Sequence, residues 1–162
     1  MSKPQTDAIR IRTTQTNEME HSSPLYVTSS FSFEDAESMR AAFADETDDN
    51  IYSRFSNPNV QEFTDKICAL EGAEAGYATS SGMRAVFGSF MALLKSGDHL
   101  LSCRALFGST HNIITKYLSR FGIEYSYVDA SAKMNEWKRS IRPNTKMIYV
   151  ESPTNPGLEI ID

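Results

Sequence analysis

"SGMRAVFGSFMALLKSGDHLLSC", residues 81–103, carries the pattern that decides the fold. Its first part has the spacing of a helix with one apolar side. Four apolar residues lie on that side: Val86, Phe90, Leu93 and Leu94. Gly97 suits the turn after such a helix, and the apolar run in residues 98–103 is typical of a buried strand. The stretch therefore predicts a helix followed directly by a strand.

The same unit repeats on both sides of this stretch. Upstream, a helix is predicted to begin at Pro58 and to stop at Gly72, and "AGYATS", residues 75–80, is predicted to be a short strand. The apolar face of that helix consists of Val60, Phe63, Ile67 and Leu70. Downstream, the pattern predicts a helix over 108–122, a strand over 123–129, a short helix over 132–141 and a strand over 145–151. The apolar residues of the 108–122 helix lie four apart: Ile113, Tyr117 and Phe121. This alternation predicts an α/β fold with a mainly parallel sheet flanked by helices.

The first third of the chain has a weaker pattern. Residues 1–24 are polar and aperiodic, which predicts an extended or disordered arm. "PLYVTSSFSF", residues 24–33, is β-prone, and residues 33–50 predict one short helix followed by an acidic turn.

The bulk composition excludes several classes of protein. The 162 residues suit a single domain, and 40% of them are hydrophobic, as in ordinary globular proteins. A net charge of -5 argues against a nucleic-acid partner. The apolar runs are too short to span a bilayer, so no membrane role is expected. Cys68 and Cys103 form no CxxC motif and no metal-binding spacing with the histidines, so we expect reduced thiols and no metal site.

Three unusual stretches follow predicted strands or begin predicted helices. They are "SSGM" at residues 80–83, "RALFGST" at 104–110 and "ESPTNPG" at 151–157. The carboxyl ends of parallel strands meet at one edge of a sheet, so the three loops are expected to form one crevice. Pro153 and Pro156 stiffen the last loop.

Each stretch has two interpretations on local grounds. Ser80 and Ser81 with Gly82 could cradle an anion at a helix start, or provide an N-cap with nothing bound; N-cap serines are common, which favours the second. Phe107 could be a core aromatic or a lid on a planar ring. Tyr52 and Arg54 stand two apart and suit a phosphate, or they are a solvated pair.

Taken together, five motifs resemble the Cys/Met-metabolism family of pyridoxal-phosphate enzymes of fold type I. The motifs are "PLYVTSSFSF", "YSRFSNPNV", "ALEGAEAGYATSSGM", "FGST" and "ESPTNP", and they cover the chain from about Pro24 to its end. The resemblance implies the N-terminal portion of the family's large domain, preceded by an arm. It also implies pyridoxal 5'-phosphate as the cofactor, bound by eight residues: Tyr52, Arg54, Ser81, Gly82, Met83, Phe107, Glu151 and Asn155.

The resemblance assigns roles to these positions. The phosphate would be held at Ser81–Met83 by backbone N–H groups, and the phosphate of a neighbouring subunit by Tyr52 and Arg54. Phe107 would stack on the pyridine ring. Asn155 would hydrogen-bond near the cofactor's phenolic oxygen and the substrate carboxylate, on a loop organised by Glu151. No metal takes part.

Two departures from the family pattern bear on activity. Phe107 stands where a tyrosine is usual, so it can stack but cannot transfer a proton. "FGST" resembles the O-succinylhomoserine sulfhydrylase branch and favours replacement over the cystathionine lyases. Arg84 stands where a small residue is common, and the sequence leaves open whether it faces the cofactor or the solvent.

The resemblance implies a cytoplasmic transferase of methionine biosynthesis and trans-sulfuration. It would act on an amino-acid substrate, an O-succinyl- or O-acetylhomoserine, with sulfide or cysteine, as a homodimer or homotetramer with shared sites. A cystathionine or methionine β- or γ-lyase is the alternative, and a non-catalytic binding fragment is an alternative of another class. The division expected is an arm and subunit-contact segment at 1–57 and an incomplete cofactor domain at 58–162.

The chain shows no lysine in the family's Schiff-base context, so no catalytic residue is assigned within it. Five lysines are expected at surface positions: Lys95, Lys116, Lys133, Lys138 and Lys146. We therefore expect this sequence to be the N-terminal part of a longer enzyme and to be inactive alone.

Overall fold

A computed structural model describes residues 3–161. The chain forms two compact units, residues 1–78 and 79–162. The expected division after residue 57 stays a prediction. Within the described range, no helix is both long and apolar enough to cross a membrane.

Three helices are described in the first unit, and side chains cap the starts of two of them. They are α1 (Pro4–Arg10), α2 (Ala36–Phe43) and α3 (Pro58–Glu71). Asp35 caps α2 by accepting the N–H of Ser38, and Asn57 caps α3 by accepting the N–H of Asn59. Helix α3 ends at Gly72, whose φ of 65° is the left-handed conformation that glycine adopts without strain. The predicted bounds of α3 are therefore confirmed.

Two predictions for this unit are wrong. Residues 4–10 of the expected extended arm form α1, which begins at a proline and packs against α3; Met1 and Ser2 lie outside the described residues. The predicted strand at 75–80 is absent. A Cβ on Gly76 would lie 2.9 Å from the Cys68 sulfur, so this segment packs against α3 instead of pairing with a strand.

The arm is fastened to α3 by the carboxylate of Glu62. It accepts the backbone N–H of Thr13 at 3.0 Å and the hydroxyl of Ser23, and it pairs with Lys66 at 2.6 Å. The hydrogen bonds from Lys66, Ser23 and Thr13 lower the pKa of Glu62 to about 2. Residues 11–24 thus have a defined course without regular secondary structure, and 24–33 forms only an isolated bridge between Ser30 and Tyr52.

The second unit is a three-stranded parallel sheet with helices packed on it. Its elements are α4 (Gly82–Leu93), β1 (His99–Cys103), α5 (Gly108–Asn112), a π-helical turn (Ile113–Tyr117), a 3₁₀ turn (Leu118–Phe121), β2 (Glu124–Val128), α6 (Met134–Ser140) and β3 (Thr145–Tyr149). The strand order is β2-β1-β3, and both pairings are parallel. The predicted α/β class with a mainly parallel sheet is confirmed.

The central strand β1 explains where the core lies. All five of its residues are buried, and it has a neighbouring strand on each side. The core residues of the unit are Phe90, Leu94, Leu100, Leu106, Ile114, Leu118 and Ile123. His99, at the start of β1, bridges both neighbours: its ring nitrogens lie 2.7 Å from the Thr145 hydroxyl and 2.9 Å from the Ser126 hydroxyl. Burial, and then the charge of Arg142, lower the pKa of His99, so the ring stays neutral.

The packing differs from the predicted helix faces. Leu93 on α4 is 69% exposed, whereas its neighbour Leu94 is buried. After α5 the buried residues are Ile114 and Leu118, and the predicted Tyr117 and Phe121 are about half exposed. The buried residues Thr110, Ile114 and Leu118 lie four apart, so the buried face falls one residue after the predicted positions 113 and 117. The apolar face predicted for α3 is exposed as well.

Candidate functional site

The carboxylate of Glu151 joins the loops that follow β1 and β3. Its Oε2 accepts the backbone N–H of Phe107 at 2.7 Å, and its Oε1 accepts the hydroxyl of Thr110 at 2.8 Å. Phe107 immediately precedes α5 and Thr110 lies in its first turn, so one side chain fixes the start of this helix. The expected role of Glu151 as organiser now has defined partners, but its effect on a cofactor stays a prediction.

Tyr149 extends this network to α4. Its hydroxyl donates to Glu151 Oε1 at 3.2 Å, and its ring meets the ring of Phe90 edge-on, with centroids 5.0 Å apart. Burial raises the pKa of Tyr149, and the negative charge of Glu151 raises it further. The phenol therefore stays protonated and able to donate. Phe90 is on α4, so the contacts run from α4 through β3 to α5.

Sequence reasoning missed Thr110 and Tyr149. Thr110 is 1% exposed, and a buried hydroxyl needs a partner. A carboxylate directly after a strand end, next to a helix whose first turn holds a threonine, is the signal that could have identified this pairing. Phe107 itself is 42% exposed, which rules out the interpretation as an ordinary core aromatic. Stacking on a ligand ring stays a prediction.

The start of α4 offers free backbone donors. Ser81 is its N-cap, and its hydroxyl oxygen accepts the N–H of Arg84 at 3.2 Å. The N–H groups of Gly82 and Met83 lie in the first turn, where a helix provides no internal acceptor. A Cβ on Gly82 would meet nothing within 4 Å, so the space beside these donors is open. Arg84 is exposed.

The "ESPTNP" loop is closed by Thr154, which is 1% exposed. Its N–H donates to the carbonyl of Glu159 at 2.9 Å, and its hydroxyl oxygen accepts the N–H of Glu159 at 2.9 Å. The next residue, Asn155, is exposed, and its side chain makes no hydrogen bond within residues 3–161. Its amide is thus available to a ligand.

Tyr52 and Arg54 lie in the first unit, whereas the other six predicted cofactor-binding residues lie in the second unit. The guanidinium of Arg54 lies 4.8 Å from the centroid of the Tyr52 ring and 5.3 Å from that of Phe55. Both predicted side chains are exposed, and they face the same way, as their spacing indicates. That they bind the phosphate of a neighbouring subunit stays a prediction.

The predicted residues fit a pyridoxal phosphate in their chemistry. Free N–H groups at a helix start suit a dianionic phosphate, an exposed phenyl ring suits a planar heterocycle, and a free amide suits a phenolic oxygen or a carboxylate. Helix α4 packs against α5, which brings the donors at Gly82 and the ring of Phe107 onto neighbouring elements. The five lysines predicted at the surface are exposed. Within residues 3–161 no cluster of side chains could hold a metal ion.

Known proteins and a family model match this chain along almost its whole length. A family model described as Cys/Met metabolism PLP-dependent enzyme matches residues 5–162. An O-succinylhomoserine sulfhydrylase of Pseudomonas aeruginosa is 45% identical over 155 residues, which cover 96% of this chain and 38% of that protein. An L-methionine gamma-lyase of Fusobacterium nucleatum subsp. polymorphum is 42% identical over 139 residues, which cover 86% of this chain and 35% of that protein.

A solved structure extends the likeness to the fold. The crystal structure of a Campylobacter jejuni protein named metY, which carries N'-pyridoxyl-lysine-5'-monophosphate, matches with a TM-score of 0.91 and 30% identity. The match covers 100% of this chain and 40% of that chain. This chain therefore spans about two fifths of the length of the proteins that it matches.

We expect Thr110→Val to lower the free energy of unfolding by about 1.5–3 kcal/mol, the range for a hydrogen bond to a charged group. Valine has the shape of threonine but donates no hydrogen bond to Glu151. Thr115→Val is the matched control, because the Thr115 hydroxyl bonds to the backbone oxygen of His111 within the helix, 2.8 Å away. We expect the control to change stability by less than about 0.5 kcal/mol. Chemical denaturation measures both variants, and equal losses would contradict the role given to Thr110.

Proposed function

Because the chain belongs to the Cys/Met metabolism family of pyridoxal-phosphate-dependent enzymes, we propose that the protein catalyses γ-replacement on an activated homoserine. The substrate is O-succinyl- or O-acetylhomoserine, and the nucleophile is sulfide or cysteine. The observation that carries this proposal is the 45% identity to an O-succinylhomoserine sulfhydrylase over 96% of the chain. Phe107, which stands in the "FGST" motif and has no hydroxyl, supports the same reaction.

Each residue of the crevice has a task in this proposal. Pyridoxal phosphate, when bound, supplies the electron sink that such chemistry needs. The N–H groups of Gly82 and Met83, beside the Ser81 cap, hold its phosphate, and the phenyl ring of Phe107 covers one face of its ring. Glu151 keeps that ring in place through the hydrogen bond to the Phe107 N–H, 2.7 Å long. Asn155 presents its free amide to the cofactor oxygen and the substrate carboxylate.

The remaining features of the proposal concern the assembled protein. Tyr52 and Arg54 bind the phosphate in a neighbouring subunit, so that the protein is a homodimer or homotetramer with shared sites. Residues 1–57 form the arm and subunit-contact segment, and 58–162 belong to the cofactor domain. The protein works in the cytoplasm. The exposure of Tyr52 and Arg54 supports the shared site, since both side chains are free to reach another chain.

A γ-lyase is the second candidate. The 42% identity to an L-methionine gamma-lyase over 86% of the chain favours it. Replacement and elimination share the early proton transfers and differ in whether a nucleophile adds afterwards. The succinate of O-succinylhomoserine is a weak base that leaves without a proton, whereas the thiolate lost from methionine is a stronger base. A phenyl ring at position 107 cannot supply a proton to a leaving group, which gives replacement on the ester the stronger support.

The reaction is tested with the protein at its natural length, loaded with pyridoxal phosphate. We expect O-succinylhomoserine and sulfide to give homocysteine and succinate, and cysteine in place of sulfide to give cystathionine. Methionine alone should yield little 2-oxo acid and ammonia. Product analysis by mass spectrometry separates the candidates. Rapid release of a 2-oxo acid from methionine, without replacement, would make the protein a lyase.

The phosphate site is tested by Gly82→Ala, with Gly88→Ala in the same helix as the matched control. Neither added Cβ meets an atom within 4 Å, so both variants should keep or raise stability, by up to about 1 kcal/mol. The methyl group at position 82 would crowd the open space beside the free N–H donors. We expect it to weaken pyridoxal phosphate binding by about 1.5–3 kcal/mol, whereas Gly88→Ala leaves binding unchanged. Equal affinities in an absorption titration would place the phosphate elsewhere.

A further inference from the structure

The segment that carries Tyr52 and Arg54 is held by the residue between them. Tyr52 forms an antiparallel bridge with Ser30. The N–H of Ser53 donates to the carbonyl of Ser29 at 2.9 Å, and its hydroxyl donates to the carbonyl of Thr28 at 2.5 Å. Ser53 therefore points toward residues 28–30, and these hydrogen bonds fix the backbone between the exposed side chains of Tyr52 and Arg54.

Asn57 connects this segment to the start of α3. Its side chain belongs to a residue that is 7% exposed. The amide nitrogen donates to the Ser53 hydroxyl at 3.0 Å and to the carbonyl of Tyr26 at 3.1 Å. The amide oxygen accepts the N–H of Asn59 at 2.9 Å, which is the helix cap. One side chain thus links the helix, the strap at residues 24–26 and the segment at 52–54.

The cap alone does not explain an asparagine at this position. Serine and aspartate cap helices about as well, since each offers a side-chain oxygen acceptor. Asparagine adds two N–H donors, and both are used, toward Ser53 and Tyr26. An asparagine at position 57 therefore serves both as the helix cap and as the link to the 52–54 segment.

Asn59 provides a contrast two residues later. Its amide oxygen accepts the N–H of Tyr26 at 2.8 Å, and its amide nitrogen donates to the carbonyl of Pro24 at 2.7 Å. It binds the same strap by two hydrogen bonds, but it makes none to Ser53. Substitutions at the two asparagines remove similar contacts and differ in the link to the segment that bears Arg54.

Arg54 itself is poised for an anion. Within residues 3–161 its guanidinium makes no hydrogen bond or ion pair. It lies over the rings of Tyr52 and Phe55, 4.8 and 5.3 Å from their centroids. Stacking of this kind orients the planar group and leaves its N–H edge open. Because no local acceptor holds the guanidinium of Arg54, its position depends on the backbone of residues 52–54.

We propose that Asn57 is a positioning residue for anion binding by Tyr52 and Arg54. Through Ser53 it fixes the backbone from which the phenol and the guanidinium reach a phosphate. The inference rests on the proposed function, in which that phosphate belongs to pyridoxal phosphate. Without the Asn57 amide, the segment loses its link to α3 and must be ordered when the anion binds, which costs affinity.

The test is a double-mutant cycle on the protein at its natural length, with pyridoxal phosphate affinity measured by equilibrium dialysis and visible absorption. Asn57→Ser keeps a cap oxygen but loses both amide N–H donors, which reach Ser53 and Tyr26. We expect it to weaken binding about tenfold, or about 1.4 kcal/mol. In an Arg54→Ala background the same change should weaken binding less than twofold, because the charged group that it positions is gone and only the Tyr52 phenol remains.

Asn59→Ser is the matched control, and its effect on affinity should be small and the same in both backgrounds. Equal losses from Asn57→Ser with and without Arg54, or no loss at all, would overturn the positioning role. An Arg54→Ala protein that binds as tightly as the wild type would overturn it as well, while replacement activity would leave the proposed reaction standing. A wild-type protein that binds no pyridoxal phosphate would refute both.

Discussion

The pairing of the Glu151 carboxylate with the start of α5 is the interaction on which the candidate site depends. Strands β1 and β3 are adjacent and parallel, so the residues that follow them meet at one edge of the sheet. The carboxylate accepts from the Phe107 N–H, the Thr110 hydroxyl and the Tyr149 hydroxyl. Loss of this acceptor would leave three donors in a partly buried site, a cost of about 1–3 kcal/mol for each. The exposed ring of Phe107 owes its position to this network.

In the first unit, neutral amide side chains hold backbone segments in place, as the Glu151 carboxylate does in the second unit. Asn57 and Asn59 bracket the strap at residues 24–26, and Asn57 extends the link to Ser53. In both units a polar side chain, partly buried in Glu151 and buried in Asn57, holds a backbone segment. The segment carries an exposed group: the ring of Phe107 in one unit and the guanidinium of Arg54 in the other. The functional side chains can therefore remain free for a ligand while their backbones are fixed.

Sequence periodicity could predict the elements whose ends are set locally. Gly72 and Gly122 adopt positive φ, and helical runs end at both. The parallel sheet followed from alternating helices and strands. The helix α1, the irregular segment at 75–80 and the shifted buried face at Ile114 and Leu118 could not be predicted, because each depends on packing against a distant element.

At the candidate site, too, the sequence could predict local features but not contacts between distant elements. Loops at strand ends can be predicted from the sequence, whereas the hydrogen bonds between them cannot.

The most direct test is a crystal structure of the protein with pyridoxal phosphate bound. The account predicts a phosphate that accepts from the N–H groups of Gly82 and Met83, with Phe107 stacked on the pyridine ring and still bonded to Glu151. A phosphate bound away from the start of α4, or a Phe107 ring turned from the cofactor, would contradict it.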